Sequence, residues 1–376
     1  MLFISHLFIK FYKKIFLSFF VFFTFCSCFA SKPLYKVTID YEKNNKNLNI
    51  FKDEIFFIQM QNVAQPFLDS NIKTGFIETP DNNQLYYETF FLPESKGTIL
   101  LIHGFTSFTR KFDEITYYFL TQGYNIVRYD QRGHGFSSRE IKDSLSKVHI
   151  DDFKTYIDDA SLIYNKILLP NSENKPIFLF AHSMGGCVGS LLIEEYPEYF
   201  DAAILNAPMM GINLLGIPKP IVKAFVNAAI GFNKGASFAF DHQEFIPNEK
   251  VEIKKSSTKS KARYLYVSDL RNENIYYQTN GATFSWVNAA LEATDNIFKP
   301  KQLKKINIPI LIVQAEKDNL VSPKAQDKFA RRTENTKIIF MPQVEHDTLI
   351  AKKIFYKLIT LNYLIFWKKI CKAFLS

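Results

Sequence analysis

Short runs of apolar residues recur between residues 98 and 341, and longer amphipathic stretches separate them. A continuous apolar run bounded by Gly, Pro or polar residues is typical of a strand that is buried on both faces. Such runs predict strands over 98–102, 124–130, 177–181, 202–206, 308–315 and 337–341. The stretches between them predict helices over 110–120, from 151 to about 169, from 187 to 196 and over 323–332. This alternation indicates an α/β fold, a mostly parallel sheet with helices on both faces.

Two stretches depart from the alternation. Residues 74–78 and 85–91 flank the turn-forming run 80–83, which predicts a hairpin ahead of the parallel strands. Residues 208–300 are interrupted by Gly and Lys, with aromatic residues scattered among them. A long insertion in an otherwise regular α/β chain usually covers the functional site, so we expect a cap there.

The chain therefore divides into five parts. They are a signal peptide or membrane anchor over 1–30, an N-terminal extension over 31–70, core over 71–207, cap over 208–300 and core again over 301–376. The extension has no clear periodicity, and we expect it to lie against the core. A helix is predicted from Leu349 onward. Its apolar and basic second half should either lie in a membrane interface or pack on the extension.

The first thirty residues have the pattern of an export segment. Three lysines at 10, 13 and 14 precede the apolar run 15–25, and Cys28 and Ala30 offer small residues for cleavage after Ala30. A lipoprotein processing site at Cys28 and an uncleaved anchor are the other two interpretations. All three predict a protein of the cell envelope, periplasmic or membrane-associated. A cytoplasmic protein with a hydrophobic start is the remaining alternative.

Composition adds little to this prediction. Loss of residues 1–30 would remove three lysines and no acid, which lowers the formal charge from +9 by three to +6. That charge gives mild attraction to an anionic membrane surface and is too diffuse to indicate nucleic acid binding. Cys187 is expected to be a buried apolar residue rather than half of a disulfide. No Cys/His spacing indicates a metal site, and no cofactor is expected.

Candidate chemistry begins at Ser183. It lies between the predicted strand 177–181 and the predicted helix after Gly186, with Ala181 two residues before it and Gly185 two residues after it. This is the pattern of a nucleophile elbow, usually G-x-S-x-G, in which small residues let the chain pass close to the serine. Ala181 departs from the pattern by one methyl group, and we expect crowding rather than loss of the turn. A serine in an ordinary strand–loop–helix connection is the alternative.

A serine nucleophile needs a base, and the base needs an orienting acid. Asp318 follows the predicted strand 308–315, and His346 follows the predicted strand 337–341. Ser183, Asp318 and His346 thus occur in the order that α/β hydrolases use, each in a loop after a strand. Glu316 is the alternative acid, but it lies closer to the strand end. His182 is expected to be structural.

The oxyanion that forms during ester cleavage needs two main-chain N–H donors. One should be Met184, the residue after the nucleophile, at the start of the helix. The other should be Phe105, which follows His103-Gly104 in the loop where this type of fold places its second donor. His149 and His242 have no supporting context.

Several of these motifs together resemble one family. His103-Gly104-Phe105, the run Asp130 to Ser137 (DQRGHGFS) and His182 to Gly186 resemble the monoacylglycerol-lipase-like branch of serine α/β hydrolases, and bacterial lysophospholipases in particular. The likeness covers about residues 70 to 365, including 263–264, 281–287 and 312–318. Besides Ala181, Asp347 is a departure, because the family often has Glu after the histidine. The resemblance implies that the 130–137 run braces the active-site region and that His134 has no catalytic role.

The expected function is hydrolysis of the carboxylic ester of a single-chain lipid, in the first place a lysophospholipid, at a membrane surface. A monoacylglycerol lipase or a general carboxylesterase is the alternative. An aminopeptidase is less favoured, because the cap has no obvious acidic cluster to hold a substrate ammonium. A non-catalytic envelope binding protein on the same fold is the alternative from another class.

Overall fold

A computed structural model of the chain describes residues 36–37, 50–249, 260–351 and 366. The segment 1–30 and nearly all of the helix expected after Leu349 lie outside the described residues. Within them, the central sheet has nine strands in the order β1-β11-β10-β8-β7-β4-β5-β3-β2. These strands are β1 Lys36–Val37, β2 Ile72–Glu78, β3 Gln84–Phe90, β4 Thr98–Ile102, β5 Asn125–Tyr129, β7 Ile177–His182, β8 Ala202–Asn206, β10 Ile310–Ala315 and β11 Thr336–Met341. A small second sheet pairs β6 Lys147–Val148 with β9 Gly281–Ala282.

The α-helices lie between and around these strands. They are α1 Phe56–Gln59, α2 Gln65–Asn71, α3 Asp113–Thr121, α4 Lys154–Ile163, α5 Met184–Glu195, α6 Lys219–Gly231, α7 Lys261–Glu273, α8 Phe284–Asn296, α9 Pro300–Leu303 and α10 Pro323–Arg332. α4 continues through a π-helical turn, Tyr164–Leu168, into a 3-10 turn, Leu169–Asn171. α10 starts where its sequence predicts, with the Ser322 hydroxyl accepting a hydrogen bond from the N–H of Ala325.

The sheet is parallel except at one edge, where β2 pairs antiparallel with β3 and β3 with β5. Side chains alternate across it, so β7 contributes Phe178 and Phe180 to one core cluster and Leu179 and Ala181 to the other. α4, α5 and α8 pack in the cluster of Leu179, and α3 packs in the cluster of Phe178. Helices therefore cover both faces, and the predicted α/β-hydrolase architecture is confirmed.

Two stretches contain helices that the sequence pattern did not predict. Residues 53–71 form a nearly continuous helical segment whose Phe56, Met60 and Leu68 are buried against the core. The sequence shows no clear periodicity over the extension, so no helix was predicted there. Several exposed positions of this segment are also apolar, namely Ile55, Phe57, Ile58 and Val63, so an amphipathic period is hard to recognise.

The cap contains α6, α7 and α8, none of which the sequence pattern predicted individually. α7 is the extreme case, because its one buried side chain is a charged residue, Arg263. Its apolar contacts with the core, Ala262 and Tyr266, are few and only partly buried, so the sequence shows no clear hydrophobic period. α6 and α8 pack against each other, with Val222, Val226 and Leu291 at the centre of their contact.

Candidate active site

The elbow lies at the carboxyl end of β7. β7 ends at His182 and α5 begins at Met184, so Ser183 alone makes the connection. Its backbone has φ 55° and ψ −118°, a conformation that non-glycine residues rarely adopt. The strained backbone places the hydroxyl above the sheet, in front of the amino end of α5.

Close contacts with neighbouring chain segments require small residues around Ser183. A Cβ at Gly185 would overlap the carbonyl oxygens of Ile102 and His103, and a Cβ at Gly186 would lie 2.5 Å from the Cβ of Pro208. Ala181 keeps the turn despite its methyl group, as expected.

The methyl group of Ala181 lies where α5 carries no side chain. A Cβ at Gly189 would lie 3.1 Å from the Cβ of Ala181 and 2.9 Å from Cδ2 of Leu179. Gly189 on α5 therefore leaves room for the methyl group of Ala181, at the strand position where the usual motif has a glycine.

Ser183, His346 and Asp318 converge although they are far apart in sequence. Nε2 of His346 lies 2.7 Å from Oγ of Ser183, and Nδ1 lies 2.7 Å from Oδ2 of Asp318. The imidazole and the carboxylate are both nearly inaccessible to solvent, with side-chain exposures of 6% and 1%. The three groups form a continuous hydrogen-bonded chain, the arrangement that allows a proton to leave the serine.

Asp318, and not Glu316, is the carboxylate that contacts His346. Its Oδ1 accepts hydrogen bonds from the N–H groups of Leu320 and Val321, both at 3.0 Å, which leaves Oδ2 directed at the imidazole. Oε2 of Glu316 instead accepts a hydrogen bond from the N–H of Gln343, at 2.8 Å. The loop after β10 therefore separates the two carboxylates that the sequence leaves as alternatives.

The two predicted oxyanion donors border the serine. The N–H of Met184 belongs to the first residue of α5, at the positive end of that helix. Phe105 follows Gly104, where a Cβ would lie 3.0 Å from the Cβ of Ser183, so this loop passes alongside the nucleophile. Among the described residues, no acceptor takes a hydrogen bond from either N–H. Both groups are therefore available to an oxyanion.

Two buried histidines hold the loop that contains Phe105. Nε2 of His134 accepts a hydrogen bond from the N–H of Thr106, at 3.2 Å, and Nε2 of His103 accepts one from the N–H of Gln131, at 2.9 Å. Burial lowers the pKa of His103 to about 4 and the pKa of His134 well below its ordinary value. Both rings are therefore neutral at physiological pH and can accept these bonds.

Hydrogen bonds and close contacts within the 130–137 run account for its glycine and polar residues. The carboxylate of Asp130 accepts hydrogen bonds from the N–H groups of Thr109 and Phe136, and a Cβ at Gly135 would overlap that carboxylate. Arg132 forms buried ion pairs with Asp159 and reaches outward to Asp81. The run braces the loops beside the serine, as the resemblance implies, and none of its side chains contacts Ser183 or His346.

Sequence reasoning missed a polar group behind the base. Nζ of Lys111 lies 2.7 Å from Oδ2 of Asp347, the residue that follows His346. Burial would raise the pKa of Asp347, but Lys111, His182 and His346 together outweigh that effect and the net pKa is lowered. The family motif drew attention to position 347, but no pattern links it to Lys111, which lies 236 residues earlier.

His182 lies beside the imidazole of His346 and contacts Asn206. Nδ1 of His182 lies 3.1 Å from the carbonyl oxygen of Asn206, whose side chain also bonds Thr348. Burial, and then the neighbouring His346, lower the pKa of His182 to about 3, so the ring is neutral. His182 does not contact the hydroxyl of Ser183, which agrees with a structural role.

The remaining candidates are structural. Cys187 is fully buried on α5 as a free thiol, as expected. Nδ1 of His149 lies 2.9 Å from Oγ1 of Thr283, and Nδ1 of His242 accepts a hydrogen bond from the N–H of Ala282. His149 joins the core to the cap, whereas the bond of His242 lies within the cap, and neither histidine contacts the triad.

A serine in a strained elbow, a buried imidazole bonded to it and a buried carboxylate behind that imidazole define a serine hydrolase of the α/β-hydrolase fold. The family model described as serine aminopeptidase, S33, matches residues 93–353, and the chain belongs to this family.

Relatives within the family agree with the resemblance predicted from the sequence. A probable lysophospholipase L2 from Haemophilus influenzae is 30% identical over 296 residues, which cover 76% of this chain and 89% of the relative. A monoglyceride lipase from Saccharomyces cerevisiae is 22% identical over 246 residues, 63% of this chain and 72% of the relative. The predicted family, a lysophospholipase or monoacylglycerol-lipase-like α/β hydrolase, is confirmed.

Solved structures support the fold. A soluble variant of the Saccharomyces cerevisiae monoglyceride lipase, in complex with a substrate analogue, has a TM-score of 0.63 at 16% identity, covering 79% of this chain and 94% of that chain. A carboxyl esterase from Bacillus coagulans has a TM-score of 0.65 at 14% identity, covering 80% and 99%. At these identities, the two matches are evidence of a shared fold alone.

Proposed function

We propose that this protein is a carboxylic ester hydrolase that releases the fatty acid from a single-chain lipid, in the first place a lysophospholipid. The observation that carries the proposal is the continuous hydrogen-bonded chain from Ser183 through His346 to Asp318. The names of the relatives, lysophospholipase and monoglyceride lipase, support the lipid ester. A monoacylglycerol as preferred substrate is the second candidate, on the same observation.

The geometry supports a two-step reaction through an acyl-enzyme. Oγ of Ser183 attacks the ester carbonyl carbon while its proton passes to Nε2 of His346, and Asp318 holds the imidazole by Nδ1. The N–H groups of Phe105 and Met184 bind the oxyanion. The C–O bond to the alcohol then breaks, and that alcohol leaves with the proton from His346. Water, deprotonated by His346, cleaves the acyl-enzyme and releases the fatty acid.

Replacement of the nucleophile tests the proposal directly. Ser183→Ala should lower kcat for a lysophospholipid at least about a thousandfold while the melting temperature stays close to wild type. A fluorophosphonate probe should label the wild type at Ser183 and leave the variant unlabelled. Unlabelled wild-type protein would instead indicate a non-catalytic binding protein.

A substrate panel separates the proposal from its alternatives. Lysophospholipids, monoacylglycerols, short-chain esters and amino-acid p-nitroanilides should be compared by kcat/KM on one enzyme preparation. We expect the single-chain lipid esters to give the highest values. The p-nitroanilides test the aminopeptidase named by the family model, and a higher kcat/KM for them would refute lipid hydrolysis.

We propose further that the cap meets a membrane surface. Its exposed residues include Leu215, Phe225 and Phe232, with exposed fractions of 85%, 57% and 79%, and Lys223 and Lys234 lie among them. Exposed apolar residues with neighbouring lysines are typical of proteins that bind a lipid interface. Within the described residues, no helix combines the length and the apolar character needed to span a bilayer. A place in the cell envelope follows from the pattern of residues 1–30 and remains part of this proposal.

Apolar-to-polar changes on the cap test the surface. Phe225→Ser with Phe232→Ser should reduce sedimentation with anionic vesicles and leave hydrolysis of a water-soluble short-chain ester unchanged. Phe57→Ser, on the extension, is the matched control and should leave vesicle binding intact. Equal loss of binding in both proteins would contradict a role of the cap.

A further inference from the structure

A cavity of about 290 Å³ lies between the cap and the loops of the triad. Thr106 and Asp347 line its core side, and they directly follow Phe105 and His346. α7 lines the cap side with Tyr264, Ser268 and Arg271. The cavity wall therefore includes the residues that directly follow one oxyanion donor, Phe105, and the base, His346. None of the steps of ester cleavage described above uses the cavity.

Arg271 is a cation without a carboxylate partner among the described residues. Its Nε and Nη2 donate hydrogen bonds to the carbonyl oxygens of Tyr277 and Thr279, at 3.3 and 2.7 Å. The guanidinium carbon lies 4.4 Å from the ring centroid of Phe245, which holds the plane of the group. Burial lowers the pKa of Arg271 to about 10, so it stays charged at physiological pH.

The other polar groups of the cavity favour an anion. Lys111 and Asp347 pair with each other and cancel in charge, and Glu249, the other carboxylate of the lining, is exposed. The hydroxyls of Tyr264 and Ser268 have no hydrogen-bond partner among the described residues. Burial raises the pKa of Tyr264, so its hydroxyl stays protonated and can donate. A half-buried guanidinium surrounded by unused donors is a site that an anion would stabilise.

We propose that this cavity binds the phosphate of a lysophospholipid through Arg271 while the ester lies at Ser183. Only a glycerol unit separates the phosphate from the ester in such a lipid, and the cavity wall begins at the residues that directly follow Phe105 of the oxyanion loop and His346. A guanidinium matches the geometry of phosphate oxygens and forms paired hydrogen bonds with them. The inference rests on the proposed function and specifies its substrate class.

The test compares two lipids with the same acyl chain, lysophosphatidylglycerol and monoacylglycerol, in the same neutral detergent micelles. Arg271→Gln should lower kcat/KM for lysophosphatidylglycerol about ten- to a hundredfold and change the value for monoacylglycerol less than about threefold. Arg271→Lys keeps the charge and should recover part of the loss.

Arg139→Gln is the matched control. Arg139 also donates to main-chain carbonyl oxygens, those of Gly135, Ser137 and Tyr276, but it does not line the cavity. We expect it to affect both lipids equally. An equal loss on both lipids for Arg271→Gln would assign Arg271 a purely structural role and overturn the inference.

Two further outcomes separate the inference from the function on which it rests. A wild type that cleaves monoacylglycerol but not lysophosphatidylglycerol would overturn the phosphate site and leave lipid ester hydrolysis standing, whereas cleavage of neither would refute both. Inorganic phosphate that inhibits the wild type but not Arg271→Gln, without discrimination between the lipids, would identify a site for free phosphate and overturn a headgroup site.

Discussion

At the scale of single residues, the two carboxylates after β10 have different surroundings. Asp318 receives two main-chain hydrogen bonds on one oxygen and contacts His346 with the other, whereas Glu316 bonds the loop of Gln343. The main-chain hydrogen bonds fix the carboxylate of Asp318. Its Oδ2 atom then orients the imidazole of His346 through Nδ1.

Asp318→Asn should therefore lower kcat by about 10³- to 10⁴-fold, because an amide can present its N–H to Nδ1 and favour the wrong tautomer of His346. The KM should change little. Glu316→Gln is the neighbouring control and should keep nearly full activity. Steady-state kinetics on a short-chain ester measure both variants, and a comparable loss for Glu316→Gln would contradict the assignment.

The sequence was sufficient to find Ser183, Asp318 and His346, because their order and their positions after strands are tied to local patterns. It did not reveal Lys111 or Arg271. Lys111 pairs with a carboxylate 236 residues away, and Arg271 is defined by a cavity between two parts of the chain. Neither relation leaves a periodic or spaced pattern in the sequence.

At the scale of elements, the one fully buried side chain of α7 forms an ion pair, and Ala262 and Tyr266 pack beside it against the core. Arg263 donates hydrogen bonds to both carboxylate oxygens of Glu114 on α3, at 2.8 and 2.6 Å, and it also pairs with Asp53 of the extension. One guanidinium thus joins cap, core and extension, and its side chain is 1% exposed.

Arg263→Leu should lower the free energy of unfolding by about 3–5 kcal/mol, because it leaves Glu114 buried without its partner. Arg263→Leu with Glu114→Leu should recover much of this loss, since no charge of that pair then remains buried. Arg331→Leu, at an exposed position on α10, is the control and should change stability little. Urea unfolding measures all three, and a double variant less stable than Arg263→Leu would contradict this explanation.

Elements with a regular apolar pattern were predictable, and the others were not. The strands 98–102 and 202–206 have the predicted bounds, because a strand buried on both faces must be apolar throughout. α7 could not be predicted, since its one fully buried side chain is charged and pairs with residues 149 and 210 positions away. The individual helices within residues 208–300 could therefore not be predicted.

At the scale of the whole molecule, one buried carboxyl should make stability depend on pH. Glu194 on α5 is 2% exposed, and neither of its oxygens has a hydrogen-bond partner among the described residues. Burial raises the pKa of Glu194 to about 9. Because its folded-state pKa lies above the ordinary value, this group contributes stability at low pH, and that contribution is lost as the pH rises toward 9.

Glu194→Gln should match the wild type in stability near pH 4 and become progressively more stable than it between about pH 5 and pH 9. The difference should grow by at most about 1.4 kcal/mol per pH unit. Glu195→Gln is the control, because Glu195 reaches solvent and contacts Lys154, and it should show no such gain. Thermal unfolding across this pH range measures the effect, and a constant difference between Glu194→Gln and the wild type would contradict it.

The attachment of Arg263 also decides where lids can be exchanged between relatives. A chimaera that takes residues 208–249 from another enzyme keeps the pair with Glu114, so the hybrid should express as a stable protein with altered selectivity. A crossover that also replaces residues 260–273 transplants one half of a buried charge pair without the other half. Recombination libraries should therefore take α7, α3 and the extension together from the same parent enzyme.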